Sequence, residues 1–467
     1  MKERKLTPIT PSSSLDLSTY LSGRSLLASE IPYPEEKLQK AEHVHVSPGL
    51  TKKANSWQCN RCGNSKQRLF GNFPCANCHQ EEGCYYCRSC IMMGRVSSCT
   101  PLYQWAGPAL EIVPASHLVW DGELSEGQQY ASDEAVRAVE TASELLVWAV
   151  CGAGKTEVLF QAIDKALQLG KRICIATPRT DVVLELAPRF KKVFPTISVA
   201  ALYGGSEDRH LFAPLTISTT HQLFRFKDAF DVMVVDEVDA FPFSYDENLQ
   251  WAVEKATKQI GTRIFLTATP SEKWQHECTQ GKRPHVKIPA RFHRHPLPLP
   301  TFKWTGNWEK QLRKGRIPAP IAKWVQQRKD SGKQALLFLP NIELMDQVLP
   351  LFEKLNPSIA AVHSEDPERK EKVVKMRRNE ISLLLTTTIL ERGVTFPNID
   401  VAVIGAEDDI FTEAALVQIA GRVGRSVDFP TGNITFFHFG RSRAMLRALF
   451  HIDLMNKTAR KQGLIDE

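Results

Sequence analysis

Ten short apolar runs, in two groups of five, limit the folds open to this chain. The first group is "LLVWAV" (145–150), "RICIATP" (172–178), "LTISTT" (215–220), "VMVVDE" (232–237) and "RIFLTAT" (263–269). The second is "ALLFLP" (335–340), "IAAVHS" (359–364), "ISLLLTTT" (381–388), "DVAVIGA" (400–406) and "NITFFHF" (433–439). Runs without polar alternation read as strands covered on both faces, as parallel strands are. Amphipathic patterns such as "TEVLFQAIDKALQLGK" (156–171) lie between some of them. The repeated strand–helix alternation predicts an α/β protein with two tandem parallel-sheet lobes, over residues 115–292 and 305–460. The proline-rich "HRHPLPLPTFKW" (293–304) reads as the linker between them.

Composition agrees with a globular protein, at 43% hydrophobic and 24% charged residues. No run approaches the roughly 18 apolar residues of a membrane span. The basic start "MKERKLTPITPSSSLDLSTY" has no apolar segment of the secretory kind, so a cytoplasmic protein is expected. Any membrane association would then come through partners. A formal charge of +7 suits a polyanion partner. Residues 1–55, rich in Ser, Pro, Lys and Glu, are expected as an N-terminal arm, partly extended, with a short helix near "PEEKLQKAEH".

Eight of the eleven cysteines fall between Cys59 and Cys99, as "CNRC" (59–62), "CANC" (75–78), "CYYCRSC" (84–90) and Cys99. In a chain without an export signal, such clustering points to metal ligation. Residues 56–102 are thus expected to form a small zinc-binding module. Eight thiolates suit two Zn²⁺ ions at four each, and one ion with four spare cysteines is the alternative. Spacing alone does not pair them. Cys151 and Cys174 read as small apolar fillers.

"AVCGAGKT" (149–156) has the spacing of a phosphate-binding loop, with Ala149 where the first Gly is usual. Backbone N–H groups of Gly152, Ala153, Gly154, Lys155 and Thr156 would surround ATP phosphates. Lys155 would reach the β- and γ-phosphates, and Thr156 would ligate Mg²⁺. "VVDEVD" (234–239) puts Asp236 and Glu237 at the end of an apolar strand. Asp236 is expected to hold Mg²⁺ through water and Glu237 to orient the attacking water.

The Asp-Glu-x-Asp form of "DEVD" resembles the superfamily-2 helicases and translocases of nucleic acid. "LSEGQQ" resembles that family's adenine-reading glutamine motif, which implies Gln128. "TPRTDVVLEL" (177–186) and "STTHQL" (218–223) resemble its strand-contacting segments, and "TAT" (267–269) its coupling motif. "TTTILERGVTFPNIDV" (386–401) resembles the fifth motif, through Arg392, Gly393 and Asp400, and "QIAGRVGR" (418–425) the sixth. The resemblance implies that Gln418, Arg422 and Arg425 face the ATP, an arginine acting as finger on the transferring phosphoryl group.

Cysteines ahead of such an engine, with "WQCNRC", "CYYCRSCIMMGRV", "WAVCGAGKTE", "VVDEVDAFPF" and "LERGVTFP", resemble the ComFA family of late-competence DNA-uptake ATPases. This implies a translocase on single-stranded DNA, with a phosphoribosyltransferase-like competence protein and the membrane DNA-uptake channel as partners. It also implies Cys59, Cys62, Cys87 and Cys90 as one zinc site, leaving Cys75, Cys78, Cys84 and Cys99 for a second. Competing readings are a primosome-like restart helicase, whose cysteines normally interrupt the second lobe, and an RNA helicase. A nonhydrolysing DNA-binding scaffold is the rival of another class. Between the ligands, Arg61, Lys66, Arg68 and Arg88 alternate with Trp57, Phe70, Phe73, Tyr85 and Tyr86, a composition suited to single strands.

Overall fold

A computed structural model of the protein describes residues 17–53, 56–75, 83–391 and 396–466. Cys78, Arg392 and Gly393, singled out above, lie outside the described residues. The chain divides into two compact units. One takes in the described residues up to Asp121, with 136–144 and 160–265; the other takes in 122–135, 145–159 and the chain from Leu266 on.

The first large sheet has seven strands, in the order Val199–Leu202, Leu215–Thr219, Ile173–Thr177, Phe230–Val235, Thr257–Thr267, Glu144–Ala149 and His285–Ile288. Ile175 stands between Ile217 and Val234 in parallel register. All five residues of Ile173–Thr177 are buried, which is why this stretch shows no polar alternation. Each such Ile or Val contributes about 1.5–3 kcal/mol by leaving water. "VAAL" (199–202) and "HVKI" (285–288) are strands that the sequence did not mark. One is too alanine-rich and the other too short and mixed to stand out.

The second sheet has six strands, in the order Thr301–Trp304, Ile434–His438, Ile399–Ile404, Gln334–Phe338, Leu383–Thr386 and Ile359–Val362. Its pairings are all parallel. Alternate residues along a strand point to opposite faces, and both faces are covered. Leu336, Phe338, Val401 and Val403 enter one buried cluster, while Ala335, Leu337, Ala402 and Ile404 enter another. Thr301–Trp304 comes from the stretch expected to be linker and is an edge strand instead. Its burial is slight, Thr301, Lys303 and Trp304 being exposed, so hydropathy gave no sign of it.

Ahead of the lobes, residues 17–53, expected as a partly extended arm, are folded, and helix Glu35–Lys40 falls in the stretch where a short helix is expected. Strand Val44–Pro48 pairs antiparallel with Pro101–Trp105, which also pairs with Ser25–Leu26. Tyr20, Leu21, Leu26, Ile31, Leu38 and Tyr103 form a small core beside them. Its central strand lies more than 50 residues downstream, with Val46 opposite Tyr103, so no local periodicity reveals it. Two short hairpins follow, Leu50–Lys53 with Ser56–Cys59 and Phe70–Phe73 with Cys84–Cys87. Among the described residues, no helix is long and apolar enough to cross a membrane.

Candidate nucleotide site and metal clusters

Strand Glu144–Ala149 ends at the phosphate loop, with Ala149 fully buried. Gly152 and Gly154 take left-handed φ values of 81° and 70°, conformations that glycine adopts without a Cβ penalty. Ala153 N–H donates to the Val150 carbonyl at 3.1 Å, and Lys155 then opens helix Lys155–Val158. A chain turning this way exposes successive N–H groups toward one point, which fits an anionic phosphate. Gln128, on helix Glu126–Thr141, donates to the Ala153 carbonyl at 2.8 Å and accepts from Ser125 N–H at 2.8 Å. A Cβ at Gly154 would collide with its amide nitrogen. Gln128 therefore braces the loop directly, a contact that its motif did not announce.

Within the same unit, residues 418–425 pack against this loop. Cys151 Sγ donates to Gln418 Oε1 at 3.0 Å. Gly421 lies so near Cys151 that an added Cβ would come within 2.5 Å of the Cys151 Cβ. Arg422 is 2% exposed, and Arg425 Nε donates to the Gly421 carbonyl at 2.9 Å. The Arg425 Cγ is 3.8 Å from where a Cβ on Gly152 would stand. The structure thus brings Gln128 and the loop of Gly152, Ala153, Gly154, Lys155 and Thr156 together with Gln418 and Arg425, and buries Arg422 in the turn between these two. Cys151, expected as a filler, is buried and also links loop to helix Glu413–Ala420.

Asp236 and Glu237 follow strand Phe230–Val235 in the other unit. Asp236 N–H donates to the Ala176 carbonyl at 2.8 Å, and its Oδ1 accepts from Glu237 N–H at 2.8 Å. Glu237 has a φ of 54°, uncommon for a residue with a side chain. Such strain persists only where the surroundings hold it.

Cys59, Cys62, Cys87 and Cys90 are all buried, and their sulfur atoms lie within 4.8 Å of one another. Cys62 Sγ is 3.6 Å from Cys87 Sγ and Cys59 Sγ is 3.9 Å from Cys90 Sγ. Zn–S bonds of about 2.3 Å in a tetrahedron require sulfur separations near these, so the four thiols fit zinc. Hydrogen bonds from Cys59, Cys62 and Cys90 pull the Cys87 thiol down, while hydrogen bonds with Cys59, Cys62 and Cys87, and then burial, push that of Cys90 up. Asn64 Nδ2 lies 3.6 Å from Cys87 Sγ as a further donor. Cys75, Cys84 and Cys99 form a second group, less buried, with Cys75 and Cys99 sulfurs 3.6 Å apart.

Arg61, expected among the strand-contacting cations, is corrected by its surroundings. Its side chain has no exposed surface and pairs with Glu30 at 2.7 Å. Glu30 also pairs with Arg225 at 2.6 Å. Lys255 donates to the Arg61 carbonyl at 2.6 Å, and Gly63 packs on the ring of Trp251. Burial, and then repulsion from Arg61, lower the Lys255 ammonium to about 7. Phe70 is buried too. Other members of the pattern remain at the surface, where Trp57 lies 5.2 Å from Tyr85 and Arg88 stands 6.0 Å over Tyr86. Arg95 over Phe73, at 4.3 Å, extends this cation–aromatic patch.

Family comparison agrees with this layout. The competence protein ComFA N-terminal domain matches residues 10–104. The type III restriction enzyme res subunit matches 121–272, and the helicase conserved C-terminal domain matches 319–427. The structure of S. cerevisiae Dbp5 bound to RNA and ADP BeF3 is similar with a TM-score of 0.52 at 13% identity, over 72% of this chain and 88% of that one. Two RecA-like parallel-sheet lobes with this phosphate loop define a superfamily-2, helicase-like protein. Competence protein ComFA of Bacillus subtilis (strain 168) is 46% identical over 98% of this chain and 99% of its own. Competence protein ComFA of Streptococcus pneumoniae (strain ATCC BAA-255 / R6) is 37% identical over 93% and 97%. The chain belongs to the ComFA family of competence proteins.

Proposed function

We propose that the protein is an ATP-driven translocase on single-stranded DNA that draws transforming DNA into the cytoplasm during natural competence. The observation that carries this reading is the packing of residues 418–425 against the phosphate loop, with Cys151 bonded to Gln418. In it, Lys155 and the loop N–H groups hold the ATP phosphates, and Gln128 keeps the loop in shape beside the adenine. Thr156 and Asp236 are the residues that would serve as ligands to Mg²⁺, which would supply charge neutralisation to the phosphate oxygens. Glu237 orients the attacking water, and Arg422 and Arg425 bear on the charge that develops as the γ-phosphoryl leaves.

Cys59, Cys62, Cys87 and Cys90 would hold one zinc ion, and Cys75, Cys78, Cys84 and Cys99 a second, and these bonds would supply folding energy to a segment too short for a core of its own. The aromatic and cationic patch around Trp57, Tyr85, Tyr86 and Arg88 suits unstacked bases and phosphates. Partners on this reading are a phosphoribosyltransferase-like competence protein and the membrane DNA-uptake channel, with the protein at the inner face of the membrane. The deciding experiment is the ATPase rate of the purified chain with single-stranded DNA, duplex DNA and RNA. Stimulation by single-stranded DNA above the others supports the proposal. Stimulation by RNA alone, or no turnover, removes it.

A further inference from the structure

Arg291 belongs to none of the motifs above. It follows strand His285–Ile288 and leads into the proline-rich stretch, yet it is 2% exposed. Its Nε donates to the carbonyl of Cys151, inside the phosphate loop, at 3.0 Å. Nη1 donates to the carbonyls of Val423, at 2.7 Å, and Gly424, and Nη2 to that of Gly421 at 3.0 Å. Four of the five donors of one rigid guanidinium therefore end on main-chain oxygens. Among the described residues no carboxylate pairs with it. Burial and the nearby Arg425 charge lower it to about 10, so it stays protonated at neutral pH.

A cation buried in this way is a costly means of filling space, since an apolar side chain would do that better. What it achieves is alignment. The turn it grips has glycines at 421 and 424, the latter at a φ of 70°, and between them only Val423 is seated in the apolar core. That turn carries Arg422 and Arg425. The Gly421 carbonyl that accepts from Arg291 also accepts from Arg425 Nε. Moving Arg291 thus moves the anchor of Arg425.

We propose that Arg291 is a positioning residue for phosphoryl transfer, fixing the Gly421–Arg425 turn against Cys151 so that Arg425 meets the phosphates. The proposal rests on the ATP-hydrolysing reading. It is tested in the full chain by Arg291→Lys and Arg291→Gln, alone and with Arg425→Ala. The measurements are single-stranded-DNA-stimulated kcat, Kd for a fluorescent ATP analogue, and thermal unfolding. A misplaced finger should lower kcat by about 10²-fold while the Kd stays within about threefold and the melting temperature stays near the parent's. The pair Arg291→Lys with Arg425→Ala should be no slower than Arg425→Ala alone, because the first acts through the second. A folded Arg291 variant with parental kcat overturns the proposal, as do additive losses in the pair. So does a joint fall of kcat, affinity and melting temperature, or failure of both variants to fold, each of which makes Arg291 merely structural. A parent without ATPase removes the reaction itself and both readings together; an active parent with an equally active Arg291→Lys removes this one alone.

Discussion

Arg61, with no exposed side-chain surface, donates to Glu30 Oε1 at 2.7 Å. Removing one partner of a buried pair leaves the other charge without compensation, at a cost of about 3–5 kcal/mol. Glu30→Gln should therefore lower the denaturation midpoint by that equivalent while zinc content stays unchanged. A variant as stable as the parent would show that the contact contributes nothing to holding the cysteine segment in place.

Lys155→Ala should abolish hydrolysis and leave single-stranded DNA affinity within about twofold, because the lost ammonium serves phosphates of the nucleotide. Steady-state ATPase and fluorescence anisotropy test the two halves separately. Retained turnover would take Lys155 out of the site.

For Arg422→Ala and Arg425→Ala, the one that serves as finger should lose about 10³–10⁵-fold in kcat, with a smaller change in nucleotide affinity. If each variant shows only weaker binding at parental kcat, neither is a finger.

Cys59→Ser should lose metal by elemental analysis and unfold the cysteine segment, because ligand bonds stand in for a core there. Arg88→Ala should keep its metal and bind single-stranded DNA more weakly, since Arg88 is exposed beside Tyr86. Unchanged affinity after Arg88→Ala and Arg95→Ala together would confine DNA contact to the lobes.

Asp164 gives a pH-dependent test. Burial works against its charge, but hydrogen bonds from the His117 and Leu118 N–H groups, Ser116 and Gln168 outweigh it, so its carboxyl lies below the usual range. A depressed folded value means stability that is complete above the unfolded carboxylate's value of about 3.9 and is lost as pH falls below it. Asp164→Asn should cost about 1–3 kcal/mol at neutral pH and flatten the acid limb of the stability curve. Parallel curves for parent and variant would contradict this.

What could be read from the chain alone was local. The strand ending at Ala149, the loop through Thr156 and the carboxylates after Val235 each lie within a few residues of the pattern that marks them. The cysteine grouping was legible only through family likeness, because sulfur spacing does not pair ligands. Long-range devices left no local mark. Arg61 and Glu30 are 31 residues apart, and Arg291 grips carbonyls at least 130 residues away. Tyr103 closes a core begun by Tyr20. Edge strands such as Thr301–Trp304 escaped for a different reason, being too exposed to show in hydropathy.

The turn from Cys59 to Gly63 faces two ways. Its cysteines gather toward one point, while Arg61 and Gly63 between and beside them grip Glu30, Lys255 and Trp251. A fragment cut at residues 56–102 would carry its ligands away but leave behind the acid, the lysine and the indole that the turn rests on. Grafting it onto another motor would set a bare guanidinium against unrelated surface. Portability requires a larger piece, one that keeps residues 17–105 together with helix Glu247–Ala256. In this protein, the unit that binds metal is smaller than the unit that can be moved.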